Sequence, residues 1–397
     1  MNRRVQLKRN FKIMYWIQAL TQMRVINVVA TLFMISRGLT LSQIYLTAVV
    51  YSIVAILTEL PSSYLADKWN RKGLITISIA FGAFYWFFNI FAYGFVPFLI
   101  AIGLFSLSYS LMSGTDEALM YDSARELGEE KNSLKMLGRF YASGIFFKIF
   151  TPILAVLIAS KLNNSQFIII LIIDLVANLV ALFLADFLVE ASHSQRNEKI
   201  NKGVMIDTIN LFKNSPILLT VTLNRTLIFL ASFSIWRINS GYFFALGAPL
   251  FIIGIASSVF QASAFFLNLK THSWFKNVKS GVVITYINLI CGIFLGLFFI
   301  NEITYKNWIF GLILFDGVLI TEAIRSPFFS DLINKTSKSY NRATTISGSS
   351  LVTELIKLPL LLVFSWIIIL GHSYLFGVAA LMAIVTEIFF SVKIIRG

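Results

Sequence analysis

Apolar positions along this chain are gathered into blocks of roughly 20 residues, the helical length that crosses a hydrocarbon core about 30 Å thick. The blocks fall at 14–35, 43–65, 74–94, 97–119, 140–159 and 167–189, then at 217–238, 247–269, 281–300, 306–327, 345–370 and 374–394. Each is read as a helix, because a lipid-exposed backbone has to satisfy its own hydrogen bonds. No stretch shows the alternation over about ten residues that an outer-membrane barrel strand would need. The basic start MNRRVQLKRNFK runs into an apolar stretch of about 22 residues with no small-residue cleavage site after it, so it is read as an uncleaved first helix.

Charge gives the orientation. Of 33 Lys and Arg residues, Arg37, Lys161, Arg237 and Lys306 fall in outside connections if the N-terminus is cytoplasmic. Arg24, Lys148, Arg225, Arg325 and Lys357 fall within spans, which leaves 24 of the 33 on the inside. Lys and Arg accumulate in cytoplasmic loops. The expectation is therefore a multi-pass protein of the cytoplasmic membrane with both termini cytoplasmic and an even number of spans.

Composition agrees with that reading and excludes others. The chain is 57% hydrophobic and 13% charged, where soluble domains carry about 25% charged residues. The net charge of +14 does not indicate nucleic acid, because the basic residues are scattered between apolar blocks. Cys291 is the single cysteine, and His193, His272 and His372 are the only histidines. No intrachain disulfide, metal cluster or cofactor site is expected from them. No Gly-x-x-x-x-Gly-Lys-Ser/Thr loop, Asp-Asp-x-x-Asp run or paired His and acid motif occurs, which speaks against an ATP-driven pump or a membrane-embedded transferase.

The longest polar connection, about 190–215, separates six spans from six. The expected organisation is a first six-helix bundle over 1–190, a cytoplasmic linker over 191–216 and a second bundle over 217–397. Short repeats link the halves. Thr21, Arg24, Ala30 and Thr31 in helix 1 match Thr222, Arg225, Ala231 and Ser232 in helix 7 at the same spacing. Thr115-Asp116-Glu117-Ala118 of helix 4 matches Thr321-Glu322-Ala323 of helix 10, and Gly138 to Gly144 of helix 5 matches Asn341 to Gly348 of helix 11.

The connection PSSYLADKWNRKG between helices 2 and 3 resembles the signature loop of the major facilitator superfamily, with Leu65, Ala66, Asp67, Lys68, Arg71 and Lys72 in the matching positions. Ser63 and Asn70 stand where that loop has glycines. The stretch Ser113 to Ser123, SGTDEALMYDS, is similar to a variant in bacterial members. The helix 4 arginine motif is absent, and the Gly- and Pro-rich motif of helix 5 is reduced to Thr151-Pro152. The resemblance implies an all-α membrane protein, with twelve transmembrane helices in two pseudo-symmetric six-helix bundles. It also implies a central cavity lined by helices 1, 4, 7 and 10, and a protein that works as a single chain.

An ionisable side chain inside a membrane is costly and points to a site. Thr21, Arg24, Asn27 and Thr31 lie along one face of helix 1 if it is continuous, and Thr222, Arg225 and Ser232 do so on helix 7. In the resembled fold Arg24 and Arg225 would face each other and hold a carboxylate or phosphate, with Lys148 either a third anion contact or the counter-ion of Asp316. The alternative is structural: each arginine is neutralised by a buried acid such as Asp116, Asp316 or Glu354. Asp316, mid-helix 10, is the leading proton carrier, with Asp116 second. Glu354 and Lys357 are placed to pair within one turn. Glu117 and Glu322 are read as an inner gate, partnered by Arg139, Arg342 or Arg325. Asp67, with Arg71 and Glu59 beside it, is implied to bias the closed state by meeting a helix N-terminus near Arg342. Asp174 and Glu387, in helices 6 and 12, are assigned packing or interfacial roles.

The function expected is secondary active transport by alternating access, as proton-coupled efflux of an amphipathic drug-like compound. Two alternatives stand beside it: exchange or symport of an organic anion on Arg24 and Arg225, and a receptor or immunity protein that does not transport. The partners expected are the small-molecule substrate, protons and membrane lipids.

Overall fold

The computed structural model describes residues 3–68, 70–191, 212–213, 215–275, 278–336 and 342–393. The described residues form helices and connections only. They run α1 Arg3–Thr21, a 3-10 turn Val25–Val29, α2 Ala30–Ser36, α3 Leu41–Lys68, α4 Arg71–Phe91, α5 Phe95–Met112, α6 Thr115–Glu126, α7 Ser133–Ile158 and α8 Asn164–Asp186. They continue as α9 Pro216–Trp236, α10 Asn239–Ala245, α11 Leu250–Trp274, α12 Ser280–Thr304, α13 Trp308–Thr336, α14 Arg342–Leu370 and α15 His372–Phe389. Eleven helical stretches among the described residues are long and apolar enough to cross a membrane. The twelfth span is α13, whose Asp316, Glu322 and Arg325 interrupt its apolar run.

The chain divides into two compact units, Met1–Leu39 with Val50–Ile200, and Thr40–Val49 with Asn201–Gly397. Inside the first unit, α4 lies against α5 and α8, and α1 against α7 and α8. Inside the second, α12 lies against α13 and α15, and α9 against α14 and α15. Counted as spans, these are the same neighbours: the third with the fourth and sixth, and the first with the fifth and sixth. The repeats legible in the sequence thus correspond to one helix arrangement used twice.

The first unit's core is a stripe of α1, Leu7, Phe11, Met14 and Ile17, at helical spacing. It is set against Ile75 and Ile79 of α4, Leu119 of α6, Phe140 of α7, and Ala181 and Ala185 of α8. The alanines let the α8 backbone approach closely, the usual device where lipid offers no hydrophobic drive between helices. Phe84, Phe87, Phe88 and Phe91 of α4, Phe183 of α8 and Phe187 just after it are exposed, as apolar faces are when the solvent is lipid. In the second unit, Tyr242 of α10 and Phe298, Phe243 and Phe376 form a ring cluster. Residues 40–49 belong to that unit because the Tyr45 hydroxyl donates to the Ser234 carbonyl and Arg237 donates to the Ile44 carbonyl and to Thr47 Oγ1. Most of the expected linker, 192–211, lies outside the described residues.

Two expected helices differ in kind from the continuous spans read from hydropathy. Helix 1 stops at Thr21 and resumes as a 3-10 turn at Val25, with Arg24 in the left-handed region at φ 29°. Helix 4 stops at Met112 and resumes at Thr115, turning on Gly114 at φ 75°. The sequence has local causes for both. Thr21 Oγ1 donates back to the Ile17 carbonyl at 2.8 Å, which competes with the helical ladder. Val25, Ile26, Val28 and Val29 are β-branched and weak helix formers. Glycine alone adopts the Gly114 conformation without a Cβ penalty.

Candidate functional site

Both helix breaks open on one cavity of about 190 Å³ inside the first unit. It is lined by Gln18, Thr21, Gln22 and Arg24 from the first break, and by Ser113, Gly114, Asp116 and Glu117 from the second. Trp86, Phe105, Tyr109 and Tyr141 supply aromatic wall, and Asn178 and Ser108 add polar atoms.

The strained backbone at Arg24 is held from outside its own helix. Asp174 of α8 accepts the amides of Val25 at 2.7 Å and Ile26 at 3.0 Å. These are donors that the start of the second half-helix would otherwise leave open. The Arg24 guanidinium then lies 4.7 Å from the centre of the Phe105 ring, and its Nε donates to the Thr21 carbonyl at 3.4 Å. It forms no ion pair among the described residues. Lys148 of α7 is near enough for the two positive charges to interact, and it too has no acid partner among the described residues.

At the second break, Asp116 and Glu117 occupy the first turn of α6, where negative charge is favoured. Asp116 Oδ1 accepts the Glu117 amide at 2.7 Å. Glu117 accepts the Tyr141 hydroxyl. Trp86 Nε1 and the Ile79 carbonyl bracket the Asn178 amide at 3.2 and 3.1 Å.

At the far end of α6, Asp122 is bound by Arg71 and, at 3.3 Å, by Arg125. Arg71 also donates to the Ala118 carbonyl at 2.7 Å. Glu190 accepts the Arg71 and Lys72 amides at 3.1 and 2.9 Å and so caps α4.

In the second unit α9 runs unbroken through Arg225. Arg325 of α13 is fully buried and pairs with Glu322, its Nε at 2.9 Å. Arg325 reaches Asn288 Oδ1 at 3.4 Å. Asn288 Nδ2 donates to Asn224 Oδ1 at 2.9 Å and to Glu387 Oε1 at 2.5 Å. Asp316 has no hydrogen-bond or ion-pair partner among the described residues.

The sequence model of the Major Facilitator Superfamily matches residues 13–352. This chain belongs to the Major Facilitator Superfamily.

As a facilitator it is a multi-pass membrane protein and a secondary transporter, not an enzyme. No curated protein matches it by sequence. Solved structures share its fold. The nucleoside transporter NupG is 16% identical over 100% of both chains, with a TM-score of 0.75. A D-xylose–proton symporter is 12% identical over 98% of this chain and 96% of its own, with a TM-score of 0.75. A bacterial homologue of the iron transporter ferroportin is 14% identical over 96% and 98%, with a TM-score of 0.69. At such identities the likeness shows the fold alone.

The facilitator fold distributes the residues singled out in the sequence unevenly. Thr21, Arg24, Asp116 and Glu117 share the cavity. Asn27 is exposed and Thr31 is buried, and neither lines it, so the expected single stripe on helix 1 is corrected. The break and the tighter 3-10 turn change the angle between successive side chains. Ser232 is buried, donates to the Ile228 carbonyl at 3.1 Å and lies 3.8 Å from Cys291 Sγ, so it faces α12. Arg139 is exposed on α7. Glu354 and Lys357 pair at 2.6 Å within one helix turn. The side chains of Asp67, Glu59 and Arg342 lie outside the described residues. Sequence reasoning did not single out Asp122, Glu190, Asn224 or Asn288. It gave Asp174 and Glu387 packing or interfacial roles, and the structure adds that each hydrogen-bonds the first span of its own unit. Their signal was present: an acid or amide within an apolar run requires a partner.

Proposed function

We propose that this secondary transporter exports a small amphipathic compound across the cytoplasmic membrane by alternating access, coupled to protons, and that the first unit's cavity contacts the substrate. The supporting observation is that two interrupted helices open on one cavity carrying aromatic rings and charges of both signs. Interrupted helices are where transporters of several folds expose backbone and charge to substrate. Asp116 in that cavity and Asp316 in α13 are the proposed proton carriers. Arg71, Glu117, Glu322, Arg139 and Arg342, with Asp67 and Glu59, are the proposed gate residues. Both termini are proposed to be cytoplasmic, from the 24 inside Lys and Arg residues against four outside.

A second reading, organic-anion exchange, is favoured by Arg24 and Lys148, two neighbouring cations in no ion pair among the described residues.

The test is flux in proteoliposomes under an imposed pH gradient. Proton-driven movement of an amphipathic dye that Asp316→Asn and Asp116→Asn abolish supports the proposal. Exchange of labelled organic anion without a proton requirement favours the second reading. The absence of counterflow for every solute tried would leave a receptor or immunity role.

A further inference from the structure

We infer that the first unit's cavity selects a small zwitterion carrying a single ring or a comparable apolar group. The inference rests on that cavity being the transport site, and it adds the substrate's charge and size.

Charge comes first. Arg24 lines the cavity at one break and Asp116 at the other, yet no ion pair joins them among the described residues. Neither is held in an ion pair among the described residues, although Asp174 is near enough to interact with Arg24 electrostatically and offsets part of its charge. Arg24 spends its Nε on the Thr21 carbonyl and one ring face on Phe105. Its terminal nitrogens have no protein acceptor among the described residues. Asp116 spends one oxygen on the amide of its own neighbour. The other charges nearby are committed or stand behind the wall. Asp174 uses both oxygens on backbone amides and does not line the cavity. Glu117 holds the Tyr141 hydroxyl. Lys148 reinforces the positive end from α7. The cavity therefore has a basic pole at the break of helix 1 and, once Asp116 has released its proton, an acidic pole at the break of helix 4.

A monoanion would satisfy the first pole and leave the second, and a monocation the reverse. A buried ionised group left without a partner is costly, so a ligand that supplies both charges is preferred over either half.

Size follows from the volume. A cavity of about 150 Å³ lined by apolar side chains accepts one benzene ring. The 190 Å³ here accommodates one ring with short polar arms. Trp86, Phe105, Tyr109 and Tyr141 offer faces and edges for that ring. The chemical class is that of free α-amino acids with an aromatic or large aliphatic side chain.

The experiment uses the full chain in detergent and a matched series: L-phenylalanine, 2-phenylethylamine, which keeps only the cation, and 3-phenylpropionate, which keeps only the anion. Binding is read by ligand-dependent thermal shift and by calorimetry. L-Phenylalanine is expected to bind on the order of tenfold or more tightly than either analogue, the range set by one charge-assisted hydrogen bond. Arg24→Gln should weaken L-phenylalanine and 3-phenylpropionate but not 2-phenylethylamine, which also reports that the variant is folded. Arg24→Lys should restore part of the loss. Asp116→Asn should weaken L-phenylalanine and 2-phenylethylamine but not 3-phenylpropionate.

Equal binding of the zwitterion and either analogue, or no binding of the series, overturns the inference. Uncharged amphiphiles run in parallel separate it from the transport reading. If they bind and Phe105→Ala or Trp86→Ala weakens them, the cavity remains the transport site without zwitterion selectivity. If every ligand that binds ignores the substitutions at all four cavity residues, the transport site itself is wrong.

Discussion

Asp174 of α8 holds the amide of Val25 at 2.7 Å, from 149 residues along the chain. With the second bond to Ile26 at 3.0 Å, it lets helix 1 stop and restart beside Arg24 without leaving buried donors open. The second unit has a counterpart in kind. Glu387, also on a sixth span, accepts from Asn224 of that unit's first span at 3.1 Å. There the contact is through a side chain, and the helix it reaches stays continuous. The same pairing of spans thus supports an interrupted helix in one unit and an unbroken one in the other.

Asp174→Ala is expected to destabilise the protein strongly. Leaving a buried donor without its acceptor costs about 1–3 kcal/mol, and two amides would lose theirs. Asp174→Asn keeps one good acceptor and should fall between the mutant and the native chain. Thermal unfolding in detergent gives the order. An unchanged midpoint for Asp174→Ala would mean that helix 1 is interrupted for another reason.

Gly114→Ala places a Cβ at φ 75° and should cost about 1–2 kcal/mol, the penalty of the left-handed region for an L-residue. The same change at Gly138 of α7 meets no atom within 4 Å and no positive φ, so it should be stabilising by about 0.5–1 kcal/mol. The two midpoints should therefore move in opposite directions. Transport should fall only for Gly114→Ala, because that glycine lies on the cavity wall.

Arg71 and Asp122 are 15% and 7% exposed, so the pair is largely out of solvent. Breaking it from one side should cost about 3 kcal/mol, the lower end for buried pairs, since Arg125 still faces Asp122. Arg71→Met and Asp122→Leu together should cost less than the sum of the singles. A double-mutant cycle on unfolding free energies measures this, and strict additivity would show that the two side chains do not interact.

Asn288→Leu should destabilise more than Asn224→Leu. Asn288 serves Arg325, Asn224 and Glu387 at once, whereas Asn224 serves Asn288, Glu387 and the Phe390 carbonyl. Removing Asn288 takes an acceptor from the fully buried Arg325, and an unsatisfied buried charged donor costs more than an unsatisfied neutral one. Equal midpoints for the two variants would contradict this ordering.

Much of this was legible in the order of residues. Block length and the need to satisfy every backbone group in lipid fix helices as the spanning element, whatever their neighbours. The Glu354–Lys357 pair was legible because three residues along a helix is a local distance. The repeat of Thr21 and Arg24 in Thr222 and Arg225 was legible too, but it suggested like backbones where the structure has unlike ones. Hydropathy averages over a window and cannot register a three-residue interruption such as Gln22 to Arg24.

By itself, then, the sequence determined a membrane protein of helical spans, its repeat and its family, because those depend on composition and local spacing. Only the tertiary structure decided where helices 1 and 4 break and which charges share a cavity. It also decided that Asp174, Glu190 and Asn288 are joints rather than filling. Those outcomes depend on partners more than a hundred residues away for Asp174 and Glu190, and on a neighbouring helix for Asn288. A polar group in lipid must find a partner, but its own sequence surroundings do not say which one.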